Sequence, residues 1–232
     1  MAPKTGLMWT REAPVAATSW FDRLRGVVLR NPEPASRSYR YMARLIELEF
    51  QHQERGLCIG VSSPDGNRYS TEAMLMLAYC LQSELGSRVL VVDSRPVTGP
   101  EGITERLGLG ETPGFVDALK MGPGAIADSA VPSAISGVDV MPNGSQALAN
   151  TFQGRDDLAA FVRGCAERYD HVLLQVGPVV KDTRNVLVAT AADVVLLIAR
   201  ENKSMMADLK RYQEVLNTNG ALDVRIVVKS GS

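Results

Sequence analysis

Leu57-Cys-Ile-Gly-Val-Ser-Ser-Pro-Asp-Gly-Asn-Arg-Tyr-Ser-Thr71 is the stretch on which the reading of this chain turns. Its first six residues are apolar or small and read as a buried strand. Pro64 and Gly66 mark a loop, and a long helix is expected from near Ser70 to Leu85. Strand, loop and helix in that order form a scaffold in which backbone N–H groups and a helix N-terminus hold phosphates. The motif that completes it, G-x-x-x-x-G-K-S/T, is half present. Gly60 and Gly66 flank the loop loosely, and Ser70-Thr71 stand in the Ser/Thr place. Counted back from them, Tyr69 takes the lysine position and Arg68 that of the glycine before it. The stretch reads as a nucleotide-binding scaffold whose nucleotide site has been altered.

The 232 residues allow one large or two small domains. Apolar residues make up 45%, ample for a core. A net charge of −1 lacks the basic excess of a nucleic-acid surface. Cys58, Cys80 and Cys165 sit in apolar contexts with no paired spacing, which fits a reducing cytoplasm. His52 and His171 have no Cys or His at ligand spacing, so no zinc site is expected. The N-terminus has no apolar h-region, so no signal peptide is expected. The apolar run 194–199 falls far short of the roughly 20 residues that span a bilayer.

Residues 1–35 are expected to be a flexible arm. Within it, residues 19–30 place Phe21, Leu24 and Val28 on one helical stripe beside Trp20, with Arg23, Arg25 and Arg30 elsewhere. This short amphipathic helix either covers its own domain or docks a partner. Residues 31–36 read as a linker, and 38–52 as a helix with Tyr39, Met42, Ile46 and Phe50 or Leu45 inward. After the 57–62 strand and its helix, Gly86 is a natural C-cap. Residues 88–93 form a second apolar strand ending in Asp93. Strands apolar on both faces, alternating with helices, predict one doubly wound, mainly parallel α/β sheet over residues 36–232. Residues 94–124 are rich in Gly and Pro and read as loops, broken by a short helix near 114–119. Residues 121–137 read as irregular and 138–144 as a short strand and turn. Asp156 is expected to cap a helix reaching Tyr169. Strands at 171–176, 193–199 and 224–228 follow, with helices near 184–190 and 203–217 between them. Met74, Met76, Met205 and Met206 read as packing residues.

In this order the chain resembles the cytoplasmic kinase domains of bacterial tyrosine autokinases, which work with polysaccharide chain-length regulators. Those domains belong to a wider group with the MinD and ParA ATPases. Val89-Leu-Val-Val-Asp93-Ser-Arg-Pro96 is similar to the family's second aspartate motif. Gly114-Phe-Val-Asp-Ala-Leu119 resembles the helix start that follows it, and Val138 to Gly144 its short strand and turn. Tyr169-Asp-His-Val-Leu-Leu-Gln175-Val-Gly-Pro178 resembles the Walker B segment, and Ala192 to Arg200 the strand beyond. Tyr39-Arg40 resembles the Tyr-Arg of an N-terminal helix used for subunit contact. The succession of landmarks, over roughly residues 36–230, carries the resemblance.

The departures fall on the chemistry. The phosphate-binding lysine is Tyr69, the second aspartate near the second strand is lost among Ser94-Arg95-Pro96, and the Walker B aspartate is Gln175. Arg37 stands where the contact helix has its glutamate, and no tyrosine cluster follows Lys229. Asp182 lies near, but not at, the place of a further aspartate. What the resemblance leaves is a vestigial site of Gly66, Arg68, Ser70, Thr71 and Asp93, altered at Tyr69 and Gln175. No catalytic residue, no metal and at most weak ATP or ADP binding are expected there. Arg68 either replaces the lysine or is a loop charge, free in solvent or paired with Asp65 or Asp93. The second fits better, because the metal side is altered too. Ser70 is read as a helix N-cap rather than a Mg²⁺ ligand, and Asp93 as a base remnant or a carboxylate paired with Arg95.

Three functions follow. The first is a non-catalytic partner in exopolysaccharide or capsule synthesis and export. The second is an active ATP-dependent tyrosine kinase or ATPase with a non-standard site. The third is a MinD-like positioning protein, which lacks its signature lysine here. The first is preferred. It implies a cytoplasmic protein, a monomer or dimer, recruited by the cytoplasmic part of a membrane polysaccharide co-polymerase. Trp20, Phe21, Leu24 and Arg40 are the docking residues it would use, and no nucleic acid is involved.

Overall fold

A computed structural model describes residues 33–95, 101–110, 112–144 and 154–229. The arm helix expected at 19–30, with Trp20, Phe21 and Leu24, lies outside the described residues, as do 96–100 and the chain's last three positions. Among the described residues there are seven strands: β1 (Leu57–Ser62), β2 (Val89–Val92), β3 (Val131–Pro132), β4 (Val138–Met141), β5 (His171–Gln175), β6 (Val194–Arg200) and β7 (Val224–Lys229). They form one sheet in the order β3-β4-β2-β5-β1-β6-β7. All pairs are parallel except β3 with β4. Antiparallel β3 sits at an edge, where Pro132 loses no ladder hydrogen bond to a further strand.

The strand sequences explain the layering. Successive side chains on a strand point to opposite faces. Val89 and Val91 enter one apolar cluster, and Leu90 and Val92 the other. Leu57, Ile59 and Val61 join the first, and Cys58 the second. A strand apolar at every position can be satisfied only with helices on both faces. Helices α1 (Glu33–Phe50) and α2 (Asn67–Leu85) cover the first face. Helices α4 (Phe115–Met121), α6 (Arg155–Ala166), α7 (Thr183–Thr190) and α8 (Met206–Thr218) cover the second. There the Phe115 and Phe161 rings meet edge to face, 5.0 Å between centroids. Each fully buried Val or Leu contributes about 1.5–3 kcal/mol. Gly86 ends α2 in the left-handed conformation, φ 69°, and its N–H bonds the Gln82 carbonyl.

Several expectations change. α1 begins at Glu33, inside the expected linker, because Pro34 in a first helical turn costs no hydrogen bond. Phe50, not Leu45, joins Tyr39, Met42 and Ile46 against the core. The Gly/Pro-rich segment contains an additional helix, α3 (Ile103–Leu107). Residues 121–137 are ordered as a 3₁₀ turn (Pro123–Ala125), α5 (Ile126–Ser129) and β3. α6 starts after Gly154, so Asp156 lies in its first turn and does not cap it. Met74 and Met76 are buried, whereas Met205 and Met206 open α8 and stand exposed.

Candidate functional site

β2, β5 and β1 are neighbours, so the residues leaving their carboxyl ends converge. These are Asp93 after β2, Gln175 at the end of β5 and the Ser63–Gly66 loop after β1. In open α/β sheets this edge is where ligands bind. Of the residues singled out in the sequence, Thr71, Gln175 and Asp93 meet here around α3, whereas Arg68 and Tyr69 pair elsewhere.

Asp93 and Gln175 spend their hydrogen bonds within the protein. Asp93 is fully buried and accepts from Arg95 Nε and Nη2, both at 2.7 Å, from the Thr104 hydroxyl at 2.7 Å and from the Thr104 N–H at 3.1 Å. Arg95, 1% exposed, also reaches Glu105 at 2.8 Å. Burial pulls the Arg95 guanidinium pKa down, but bonding and charge from Asp93 and Glu105 outweigh it and hold it above its ordinary value. The Asn143 side chain donates to the carbonyls of Arg95, at 2.6 Å, and Asp93, at 3.1 Å, and its N–H donates to the Thr104 hydroxyl at 2.8 Å. Gly102 makes room for this cluster: a Cβ there would fall inside the Arg95 guanidinium.

Gln175 is equally occupied. Its Nε2 donates to the Thr71 hydroxyl, and its Oε1 accepts from Ile103 N–H at 3.2 Å. The Thr71 hydroxyl lies 2.8 Å from the carbonyls of both Asn67 and Glu101. α3 therefore lies over the ends of β2 and β5, its first two N–H groups bonded to Gln175 and Asp93.

The loop differs from its expected shape. α2 begins at Asn67 rather than near Ser70, so Asn67, Arg68 and Tyr69 are wound into the helix. Ser70 is buried inside α2 and donates to the Asn67 carbonyl at 2.9 Å, so it is not the N-cap; that position is Gly66, φ 114°. Arg68 is exposed and pairs with Glu72 one turn on, at 3.1 Å, not with Asp65 or Asp93. Tyr69, in the lysine position, accepts a hydrogen bond from Arg200 Nη1 at 2.8 Å, and the guanidinium lies 4.1 Å from its ring centroid. Arg200 also bonds Asp65 at 3.3 Å, and Ser204 completes the cluster through Asp65. The far end of β6 is thereby tied to the loop.

A magnesium–nucleotide complex needs a cation near the terminal phosphates, free loop N–H groups and a carboxylate for the metal. Tyr69 is neutral and Gln175 uncharged. The N–H groups of Asp65, Gly66 and Tyr69 bond within the loop. As arranged, these residues do not fit that complex. Asp182 has a local role: it caps α7 through Arg184 N–H at 2.9 Å, and the Arg184 side chain, aided by that bond, holds its carboxyl below the usual range. Arg40 and Arg44 are both drawn to Glu84 of α2, at 3.3 and 2.7 Å. Among the described residues no helix is long and apolar enough to cross a membrane.

Sequence reasoning did not find Arg200, Thr104, Glu105 or Asn143. Only Arg200 carried a signal, as the charge ending an apolar strand.

A mainly parallel sheet with the strand–loop–helix unit at its centre defines a P-loop NTPase-like α/β fold. Solved structures share it, among them the kinase domain of the Escherichia coli tyrosine kinase ETK: TM-score 0.71, 18% identity, covering 90% of this chain and 82% of that one. The BceF tyrosine kinase domain is similar with TM-score 0.65 at 18% identity, covering 88% and 80%. The Pyrococcus furiosus cell division ATPase MinD follows with TM-score 0.60 at 17% identity, covering 75% and 71%. No protein-family model and no curated protein sequence matches the chain.

Proposed function

We propose that this protein is a non-catalytic relative of the tyrosine autokinase domains, acting as a regulatory or scaffolding partner in exopolysaccharide or capsule synthesis and export. The observation that carries the reading is the closed polar cluster at the strand ends. Asp93 and Gln175, which would serve base and metal, are saturated by Arg95, Thr104, Ile103 and Thr71. Phosphoryl transfer is mostly positioning and charge neutralisation, and this cluster supplies neither. Gly66, Arg68, Ser70, Thr71 and Asp93 are then a remnant with structural duties.

The domain, from residue 36 onward, works in the cytoplasm as a monomer or dimer. Arg40 is engaged by Glu84, and Arg37 replaces the glutamate of the related contact helix, which removes two elements of a repeating head-to-tail interface. Recruitment to the cytoplasmic part of a membrane co-polymerase uses the loops between 94 and 124, the Arg40 end of α1 and the arm with Trp20, Phe21 and Leu24.

Thermal unfolding with and without millimolar Mg-ATP tests the reading, since a ligand of the folded state must raise the melting temperature. No shift and no transfer of radiolabel to tyrosine is the expected result. Label transfer abolished by Asp93→Ala would overturn the proposal and restore the active-kinase alternative.

A further inference from the structure

The amino edge of the sheet, opposite the closed cluster, holds a cleft of about 700 Å³. That is within the size range of small-molecule sites, roughly 300–1,000 Å³. Phe50, Leu85 and Ala166, the last residues of α1, α2 and α6, line it together with the starts of β1 and β5. Its wall is tied in place. Gly56 N–H bonds the Ala166 carbonyl at 2.9 Å, Leu57 N–H bonds the Asp170 carbonyl at 2.9 Å, and a Cβ at Gly56 would strike the Tyr169 carbonyl.

The cleft has an excess of negative charge. A helix carboxyl end carries about half a negative charge, and neither α1 nor α2 has a basic residue in its last turn to offset it. Glu47, Glu54 and Glu167 line the cleft and enter no ion pair among the described residues. Both arginines of the lining are already engaged. Arg55 is held by Asp193 at 2.5 Å, and Arg88 lies 3.9 Å from Asp170, which also accepts its backbone N–H at 2.7 Å.

His171 is a second, independent sign of a ligand. It is 5% exposed, and its Nδ1 has no hydrogen-bond partner. Buried polar atoms are nearly always paired, so an orphan asks for a partner. Its strand neighbours Leu57 and Val89 and its own Leu173 all belong to the apolar cluster under α1 and α2, so the ring lies on that face, in the cleft wall. Burial favours the neutral ring, with Asp170 opposing in part, and a neutral imidazole keeps a lone pair for a donor. Ile46, Leu57 and Leu85 supply apolar lining beside it. Among the described residues no group of three side chains could hold a metal ion, so the missing positive charge is organic.

We propose that this cleft binds a small aliphatic polyamine. Its ammonium groups pair with Glu47, Glu54 and Glu167, its methylenes lie over Ile46, Leu57 and Leu85, and one N–H is donated to the His171 imidazole. Carboxylates on both walls with apolar lining between them match the alternation of ammonium and methylene groups. The site lies at the other end of the strands from Asp93 and Gln175, so it stands whether or not the polysaccharide reading does.

Spermidine is the probe, added to the full chain at physiological salt, about 0.15 M. Calorimetry is expected to show saturable one-to-one binding. Nitrogen NMR should show the His171 ring signals moving with the same saturation; the chain has two histidines, and His52→Gln assigns them. Glu54→Gln and Glu167→Gln, at exposed positions, should each weaken binding by up to roughly fivefold while leaving the melting temperature of the free protein nearly unchanged. Glu214→Gln, exposed on α8, should leave binding as it was. The proposal is overturned if millimolar spermidine gives no saturable heat or leaves the His171 signals in place. Equal weakening by Glu214→Gln overturns it too, because the attraction is then diffuse, as does an arginine-rich peptide that moves the His171 signals where spermidine does not.

Discussion

Arg95→Leu tests the closed cluster most directly. The substitution removes the two 2.7 Å bonds that Asp93 receives from the guanidinium and leaves it those from Thr104. The carboxylate remains fully buried. A hydrogen bond to a charged group contributes about 1.5–3 kcal/mol, so two bonds amount to about 3–6 kcal/mol. Orphaning one member of a buried ion pair costs about 3–5 kcal/mol, the same range by another route. Glu105 loses a partner as well, but its side chain is 29% exposed and solvent compensates. For a domain of this size, that corresponds to a melting temperature lower by roughly 6–20 °C. Urea unfolding followed by circular dichroism gives the free energy, and scanning calorimetry the temperature. The double variant Asp93→Asn with Arg95→Leu should recover part of the loss, because the amide needs no counter-charge. An Arg95→Leu protein within about 0.5 kcal/mol of the parent, the ordinary range for surface changes, would refute the assignment of Asp93 and Arg95 as a buried interdependent pair.

Tyr69→Lys is expected to leave Mg-ATP without effect on the melting temperature, because residues 67–69 stay helical and Gln175 stays uncharged; a clear ATP-dependent rise would show that the lysine alone was missing. Burial lowers the pKa of His171, opposed in part by Asp170, so the unfolded chain binds the proton more readily. That contribution to stability is complete above pH about 6.5 and fades as pH falls from there toward the folded pKa; His171→Gln should flatten this part of the stability–pH profile, and an unchanged profile would contradict the assignment. Gly114→Ala places a Cβ on the Pro142 carbonyl, a backbone group that cannot rotate away, and should destabilise the fold by about 1–3 kcal/mol in urea titration.

The fold was legible because its strands are apolar at successive positions and its main helix ends at Gly86; both signals are local. The Asp93–Arg95 pairing was also within reach, two residues apart in sequence. α3 was hidden by the glycines around it. Its stability comes from Thr104 and Ile103 donating to Asp93 and Gln175, contacts that no local pattern announces. Ser70 was misplaced because the loop was measured against the lysine motif, whereas Asn67-Arg-Tyr contains no glycine that would keep it out of a helix. Tyr69's partner, Arg200, lies 131 residues away and becomes visible only when β6 is set beside β1.

The sheet order also bears on how the chain is made. β1 and β2 are consecutive in sequence yet do not pair with each other, because β5 lies between them and pairs with both. Ribosomal synthesis delivers Leu57–Ser62, α2 and β2 long before His171–Gln175 emerges. Until then the two apolar strands have an open gap at the centre of the future sheet, each exposing an unsatisfied edge. Closure of the core thus waits on one short, late segment. A nascent chain stalled before residue 171 should be a strong chaperone client, whereas one released after β5 and β6 could complete its central sheet.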